Sequence, residues 1–349
     1  MIRPRQFRFG LLGESIRAAT ELVETTRRAE GAGFATFLLR DHFIEEPWGH
    51  QLAPLTALAT AAAATATLRV GSLVLCNDYR HPVLLAKEVA TLDLVSGGRF
   101  ELGLGAGFSR PEYEAAGLPF DPPGVRVGRL AEALQVVKGV FGAAPFTFAG
   151  RFYTVTNLQA FPKPAQQPHP PILVGAGGRR MLAIAAHEAD IIGIQHVPAP
   201  SALLAETIAE KIGWIRQEAG ARFDNLELSL VGSVIITEHR REEAERLVHA
   251  RGWAGLSAEQ VFEMPSIFIG SVDQIVEEMQ GRRERYGISY YIVPDSSLEM
   301  VAPIVARLAG VQKPARPRAA GPDTTAPNNR LQATGNSVRS CLASAIPRA

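Results

Sequence analysis

An acid and a histidine stand side by side where a short apolar run ends. Residues 36–41 follow a strand pattern that finishes in Asp41, and His42 comes next. In a barrel of parallel strands, side chains at the carboxyl ends of the strands face the site of chemistry. A histidine can take up or release a proton near neutral pH, and an adjacent carboxylate can hold a polar ligand or orient the imidazole. We therefore predict that His42 transfers a proton and that Asp41 orients a ligand; a capping aspartate beside a packed histidine is the structural alternative.

Small residues interrupt the next two apolar runs. Gly71 and Ser72 lie inside a β pattern, where a missing or small side chain marks a bulge or lets a flat ligand approach the backbone. Gly103, Gly105 and Gly107 fall at the end of the following run and would permit the same close approach. Each pattern has structural explanations when taken alone.

A further glycine cluster precedes a helical pattern. Gly177 and Gly178 follow the apolar run 172–174 and are followed by Arg179 and Arg180. Exposed amides at a helix N-terminus bind phosphate, and either arginine could supply charge for an anionic group. The spacing differs from that of a dinucleotide fingerprint or a P-loop, so a flexible turn explains these residues equally well.

Strand and helix patterns alternate along the chain, which is typical of βαβ units and a parallel sheet. The predicted strands cover residues 7–13, 36–41, 69–75, 99–105, 172–174, 190–194, 226–236 and 288–293. The predicted helices cover residues 20–32, 54–65, 82–94, 125–141, 180–187, 202–219 and 271–286. Eight strands in this rhythm predict an α/β fold, a TIM (β/α)8 barrel. Residues 146–171, rich in proline and aromatic side chains, predict an insertion with a hairpin near the C-terminal mouth.

The charge balance limits the classes of partner. The 349 residues carry 36 basic and 35 acidic side chains, a formal net charge of +1, spread along the chain. This balance gives no field strong enough to recruit nucleic acid or an anionic membrane, and no apolar run is long enough to span a bilayer. We therefore expect a small-molecule substrate and no nucleic-acid or membrane partner.

Cysteine and histidine usage narrows the compartment and the chemistry. Cys76 and Cys341 are the two cysteines, which suggests no disulfide framework, and the first residues lack a secretory pattern. We therefore expect a cytoplasmic protein. The remaining histidines show no metal-ligand spacing, so no metal is predicted. Residues 313–349 lack periodicity and predict a disordered low-complexity tail after a barrel domain of residues 1–312.

Four ordered segments together resemble one protein family. They are residues 39–43 (LRDHF), 80–87, 91–99 and 102–107 (LGLGAG). In this order and at this spacing they resemble the luciferase-like monooxygenase superfamily, in the branch that uses coenzyme F420, an 8-hydroxy-5-deazaflavin. The resemblance covers about residues 7–310.

The resemblance implies a bacterial luciferase-like barrel with a flavin or deazaflavin ring lying across the strand ends. It also implies a non-prolyl cis peptide bond in the third strand, and counting back from Pro82 places this bond at Ser72–Leu73. Asp41 matches the residue that contacts the ring, and His42 matches the family's proton-transfer residue. The residues predicted to line the cofactor, besides Asp41, are Ser72, Leu73, Gly107, Gly177, Gly178 and Arg179.

One departure from the family pattern bears on the substrate. The related sugar-phosphate dehydrogenases place a glutamate acid directly after the glycines of the fourth strand, where this chain has Phe108. Glu112 and Glu114 follow, but the matching position is apolar. This disfavours glucose 6-phosphate and favours an enoyl, carbonyl or alcohol-bearing hydrophobic metabolite, with Trp48 and Phe108 on the substrate side.

Three functional hypotheses follow on this fold. The first is an oxidoreductase that transfers a hydride between C5 of coenzyme F420 and a small organic substrate. The second uses reduced FMN and oxygen as a monooxygenase, since both cofactors share a tricyclic ring and a ribityl phosphate. The third is a non-catalytic flavin-binding barrel; a metal-free phosphate-sugar isomerase of ordinary TIM-barrel type is a weaker alternative. The resemblance also implies a homodimer.

Overall fold

The computed structural model describes residues 5–195, 205–253 and 255–309. Its strands, numbered in chain order, are β1 Arg8–Gly13, β2 Thr36–Leu39, β3 Arg69–Ser72, β4 Leu75–Cys76, β5 Phe100–Gly105, β6 Phe146–Ala149, β7 Thr154–Leu158, β8 Ile172–Ala176, β9 Ile191–Ile194, β10 Glu227–Val231, β11 Ser233–Ile236, β12 Ile267–Gly270 and β13 Ile288–Pro294. Its α-helices are α1 Ala19–Gly31, α2 Pro54–Ala64, α3 Pro82–Val95, α4 Arg110–Ala115, α5 Pro123–Phe141, α6 Arg179–Glu188, α7 Ala205–Ala219, α8 Arg240–Ala250, α9 Ala258–Phe262, α10 Val272–Tyr286 and α11 Leu298–Leu308.

Eight parallel strands of the described chain close into a barrel. β1 pairs with β2 on one side and with β13 on the other, and the order continues from β13 through β10, β9 and β8 to β5. β3 pairs with both β2 and β5, with Val70 opposite Phe100, which closes the cylinder. β4 continues the line of β3 and also pairs with β5. The predicted TIM (β/α)8 barrel is therefore confirmed.

Apolar side chains fill the inside of the barrel and the layer between the barrel and its helices. The inner cluster consists of Leu12, Leu38, Leu173, Ile191, Tyr290 and Ile292. In the outer layer, Leu58 of α2 and Val89 of α3 are both 0% exposed. Burying one such side chain contributes about 1.5–3 kcal/mol. The inner cluster makes the barrel a packed core rather than a channel.

Ion pairs close the amino-terminal end of the barrel. Arg8 of β1 donates to Glu101 of β5 and to Glu227 of β10, each at 2.6 Å. Burial works to raise the pKa of Glu101, but the guanidinium groups of Arg8 and Arg69 hold it below its ordinary value. Each of these charges has a partner, as buried charges require. Residues at this end of a barrel serve stability.

The predicted seventh strand, residues 226–236, is wrong as a single element. Gly232 separates β10, which stays in the barrel, from β11, which pairs with β12 in a separate two-stranded parallel sheet. Both halves are rich in apolar residues, so their composition does not reveal the break. The small sheet packs with α8 and α9 around an apolar cluster of its own, which includes Trp253 and Met264.

The predicted insertion is present as an antiparallel hairpin of β6 and β7, with Phe146 opposite Leu158. The predicted helix over residues 202–219 is described from Ala205 onward, and its first residues lie outside the described part of the chain. Residues 313–349 also lie outside it, so the disordered tail stays a prediction. No helix among the described residues is long and apolar enough to cross a membrane.

Candidate active site

A cavity of about 450 Å³ opens at the carboxyl ends of the barrel strands. This volume falls in the range of small-molecule sites, roughly 300–1,000 Å³. Of the predicted site residues, the structure brings eight to its lining: Asp41, His42, Trp48, Leu73, Gly107, Phe108, Gly177 and Gly178. Segments after β2, β3, β5 and β8 therefore converge here, as the barrel geometry predicts.

His42 is held by a buried carboxylate that the sequence did not reveal. Its Nδ1 lies 2.8 Å from Oε2 of Glu112, in α4. The other carboxylate oxygen of Glu112 accepts hydrogen bonds from the amides of Phe43 at 2.7 Å and Ile44 at 3.4 Å. Burial works to raise the pKa of Glu112, but the bonds from His42 and Phe43 outweigh it and lower that pKa from its ordinary 4.5. An ionised Glu112 fixes a proton on Nδ1 and leaves Nε2 as the reactive nitrogen.

Aromatic packing fixes the orientation of the His42 imidazole ring. The indole of Trp48 stacks on the His42 ring at 4.5 Å between centroids and 7° between planes. The guanidinium of Arg40 lies over the Trp48 ring at 5.4 Å and is paired with Glu14. Phe108 meets both rings edge-on, at 5.9 Å from His42 and 5.6 Å from Trp48. Trp48 thus holds His42 in place as well as lining the cavity.

Asp41 is engaged with the protein on both carboxylate oxygens. Oδ2 accepts from Arg80 at 2.6 Å and from the amide of Cys76 at 3.2 Å, and Oδ1 accepts from Arg80 at 3.3 Å. The side chain is 5% exposed and still lines the cavity. The pair therefore fixes the ends of β2 and β4 relative to each other. Burial raises the pKa of the Cys76 thiol to about 11, so it stays protonated and unreactive at neutral pH.

Glycines give the opposite wall of the cavity a flat surface. Gly105, Gly107, Gly175, Gly177 and Gly193 all line it. Gly107 has a φ of +74°, and an added Cβ there would lie 2.0 Å from the Tyr113 hydroxyl. No side chain fits at that position, so the backbone itself forms the wall, as a planar ring requires.

An arginine without a full set of partners lies in the same cavity. Arg126, the fourth residue of α5, is 6% exposed, and its Nε has no hydrogen-bond partner among the described residues. Its guanidinium packs on Phe120 at 3.9 Å and donates to the carbonyl of Asp121 at 3.0 Å. The carboxylate of Asp121 pairs with Arg129 instead, and Arg126 forms no salt bridge among the described residues. A buried cation in this state favours an anionic ligand.

Two predicted residues are placed away from the cavity lining. The Ser72 hydroxyl is buried and bonds the backbone of Gly103 at 2.9 Å, which ties β3 to β5. Arg179 is exposed, and its guanidinium lies over Trp214 of α7 at 5.6 Å. Neither residue is among those that line the cavity. Their roles in cofactor binding stay predictions.

The predicted position of the non-prolyl cis peptide bond is wrong by one residue. The bond lies at Leu73–Val74, not at Ser72–Leu73. β3 ends at Ser72 and strand pairing resumes at Leu75, so residues 73 and 74 form the irregular segment. The cis bond joins these two residues, one position later than counting back from Pro82 predicts. Leu73 and Val74 both line the cavity, as a support for a ring requires.

The Glu112 carboxylate gives a prediction for stability against pH. We expect Glu112→Gln to destabilise the protein by about 1.5–3 kcal/mol near neutral pH, the contribution of a buried hydrogen bond to a charged group. Folding lowers the pKa of Glu112, so its contribution is present above its ordinary pKa of 4.5 and is lost as the pH falls through the lowered value. Urea unfolding from about pH 3 to pH 7 measures the gap between the two proteins.

Glu114→Gln is the matched control, because this side chain lies on the same helix and is 61% exposed. We expect its stability to follow the wild type within about 0.5 kcal/mol at every pH. A Glu112→Gln gap that stays constant down to the acid limit would contradict the assignment of the low pKa to this carboxylate.

The comparison with known families decides the class of protein. The family model described as luciferase-like monooxygenase matches residues 5–290. The chain belongs to the luciferase-like monooxygenase family. The family predicted from the four sequence segments is therefore confirmed.

Curated relatives of this luciferase-like protein carry coenzyme F420 in their names. An F420-dependent glucose-6-phosphate dehydrogenase from Nakamurella multipartita is 30% identical over 260 residues, which cover 73% of this chain and 74% of the relative. An F420-dependent hydroxymycolic acid dehydrogenase from Mycobacterium tuberculosis is 32% identical over 174 residues, which cover 48% of this chain and 47% of the relative. The second match therefore spans about half of each protein.

A solved structure shows the same fold in this luciferase-like family. An F420-dependent secondary alcohol dehydrogenase, in complex with an F420-acetone adduct, superimposes with a TM-score of 0.69. The match covers 88% of this chain and 100% of that chain at 19% sequence identity. At this identity the likeness is one of fold.

Proposed function

We propose that this protein is a coenzyme F420-dependent oxidoreductase that interconverts an alcohol and a carbonyl group on a small organic substrate. The observation that carries the proposal is the His42–Glu112 pair at 2.8 Å, which sets one imidazole nitrogen free in a glycine-walled cavity. The names of the relatives support coenzyme F420 and a dehydrogenase reaction. That this chain acts on an alcohol or a carbonyl group is itself proposed.

The residues of the cavity fit a deazaflavin with a ribityl phosphate. Leu73, Val74 and the glycine wall would hold the planar ring, since they leave an apolar, backbone-lined surface. Gly178 caps the N-terminus of α6, and an added Cβ there would meet no atom within 4 Å. Its amide and the Arg126 guanidinium would hold the phosphate, which supplies the anion that the buried cation lacks. When bound, the ring supplies a hydride donor or acceptor at C5.

His42 manages the proton that accompanies the hydride. In the direction of oxidation, Nε2 accepts the proton of the substrate hydroxyl as the C–H bond gives up its hydride. In the direction of reduction, Nε2 returns that proton to the carbonyl oxygen. The ionised Glu112 stabilises the imidazolium formed in between, since it lies 2.8 Å from Nδ1. Each direction balances one proton and one hydride.

Surrounding residues fix the orientation of His42 and Glu112 and restrict the access of water to them. Glu112 is 1% exposed and the His42 side chain 12% exposed, so both groups react in a largely desolvated site. Electrostatic interactions between them are stronger there than in water. The stacked Trp48 and the edge of Phe108 restrict rotation of the imidazole, which keeps Nε2 aimed at one place.

Titration with the two candidate cofactors tests the proposal. Coenzyme F420 is expected to bind with a Kd at least about tenfold lower than that of FMN, measured by fluorescence and absorbance. Tighter binding of FMN would instead favour the monooxygenase that uses reduced flavin and oxygen. Tight binding of F420 without turnover of any alcohol or ketone would favour a non-catalytic flavin-binding barrel.

A further inference from the structure

We propose that the substrate of this site is an uncharged alcohol or ketone carried on an apolar group, and that Phe108 and Val231 form the surface that binds this group. The inference rests on the proposed function for the reaction and adds the substrate class. Two observations support it: the cavity exposes large apolar side chains, and its charged groups near His42 offer no free positive charge.

Two large apolar side chains of the cavity lining are exposed. Phe108, after β5, is 56% exposed, and Val231, the last residue of β10, is 41% exposed. Single exposed apolar residues are common on protein surfaces. These two, however, line one concave site from different strands, which is the pattern of a ligand pocket. Phe108 also lies edge-on to His42 at 5.9 Å, so an apolar group placed on it stands beside the proton carrier.

The charged side chains near His42 offer no free positive charge to a substrate. Arg40 is paired with Glu14, Asp41 with Arg80 at 2.6 Å, and Glu112 with His42 at 2.8 Å. Glu112 keeps its negative charge beside the neutral imidazole, and none of these groups offers a free positive charge to a substrate. A substrate phosphate at this end of the cavity would therefore lose its hydration without gaining a counter-charge, which is costly.

The remaining cation of the lining lies toward the coenzyme phosphate. Arg126 follows Gly124 by two residues, and the carbonyl of Gly124 accepts a hydrogen bond from Arg180 of α6 at 3.3 Å. This contact places the start of α5 beside the start of α6, where Gly178 lies. Arg126 is thus assigned to the coenzyme and not to the substrate.

The described residues after β9 add no arginine or lysine to the cavity lining. Gln195, the residue after β9, lines the cavity with its uncharged amide side chain. Lys211 of α7 uses its ammonium group on the carbonyl of Gln195 at 2.7 Å and is not among the lining residues. The polar groups left for a substrate in the described part of the lining are uncharged ones, such as Ser109 and Ser229.

A homologous series of ketones tests the substrate class. Isothermal titration calorimetry of the protein, with and without coenzyme F420, would compare 2-butanone, 2-hexanone, 2-octanone and glucose 6-phosphate. If the ketone chain is buried against an apolar surface, Kd falls about fourfold for each added methylene group. Glucose 6-phosphate is expected to give no saturable heat. A Kd that does not change with chain length, or binding of glucose 6-phosphate tighter than that of 2-octanone, would overturn the inference.

Matched variants locate the surface. Phe108→Glu is expected to raise the Kd of 2-octanone roughly ten- to a hundredfold, while Phe108→Leu keeps it within about threefold. Phe161→Glu is the control, because Phe161 is 65% exposed and lies outside the cavity lining. Equal effects of Phe108→Glu and Phe161→Glu would overturn the assignment to this surface.

Binding of F420 and binding of the ketones are measured in separate titrations. Coenzyme binding is read in its own titration, and a failure of F420 to bind would overturn the proposed function. The ketone series reports on the apolar surface even in coenzyme-free protein. A flat series beside normal F420 binding would therefore overturn the substrate class alone.

Discussion

His42→Ala is expected to lower kcat by about two to four orders of magnitude, the usual contribution of a positioned general acid or base. The Kd of coenzyme F420 is expected to change by less than about a factor of two, because proton transfer and coenzyme binding use different residues. The bond to Glu112 uses Nδ1 and leaves Nε2 to carry the proton, whereas the coenzyme is assigned to the glycine wall, Leu73, Val74, Gly178 and Arg126. Steady-state kinetics and a fluorescence titration of the same preparation measure the two quantities.

His81→Ala is the control for this experiment. His81 caps α3, where its Nδ1 accepts from the amide of Val83 at 3.3 Å, and it lies outside the lining of the main cavity. We expect its kcat to stay within about threefold of the wild type. A loss of turnover and coenzyme affinity in equal measure for His42→Ala would sink the assignment of a proton-transfer role.

Arg126→Met is expected to raise the Kd of coenzyme F420 roughly a hundredfold or more, the cost of removing one partner of a buried charge pair. The coenzyme-free protein is expected to lose little stability, because methionine keeps the packing on Phe120 and removes a buried cation that lacks a counter-charge. Calorimetric titration gives the affinity, and thermal unfolding without coenzyme gives the stability. The opposite result, a large fall in Tm with unchanged affinity, would make Arg126 a structural residue.

Arg179→Met is the comparison that decides between the two arginines. The sequence assigns Arg179 to the coenzyme, whereas the structure places its guanidinium over Trp214. We expect Arg179→Met to weaken coenzyme binding by less than about fivefold, as for an exposed charge. If Arg179→Met weakens coenzyme binding more than Arg126→Met does, Arg179 contributes more to coenzyme binding than Arg126.

The barrel, and the place of His42 in the cavity at its mouth, could be predicted from local sequence patterns. Strand and helix periods follow from neighbouring residues, and the position of His42 at a strand end follows from the strand pattern alone. The two halves of the predicted seventh strand could not be separated, because the chain stays β-rich on both sides of Gly232 while leaving the barrel there.

The partners of the site residues could not be predicted, because they come from distant positions. Glu112 lies 70 residues beyond His42, and Arg80 lies 39 residues beyond Asp41. In the sequence, Glu112 is only an acid a few residues after the fourth predicted strand, and no local signal pairs it with the histidine. Arg126 sits in an ordinary helical pattern, and only its burial without a counter-charge reveals it.

Because α4 anchors His42, the position of the imidazole and the side chains of the loop after β2 can change independently. A single loop that did both would couple them. Glu112 is hydrogen-bonded to the His42 ring and to the amides of Phe43 and Ile44. It belongs to the segment after β5 and not to the loop after β2. Residues between Glu45 and Gln51, other than Trp48 and Gly49, can therefore exchange side chains without releasing the imidazole from Glu112. Such a division lets this protein diversify in the molecules it accepts while its acid–base apparatus stays the same.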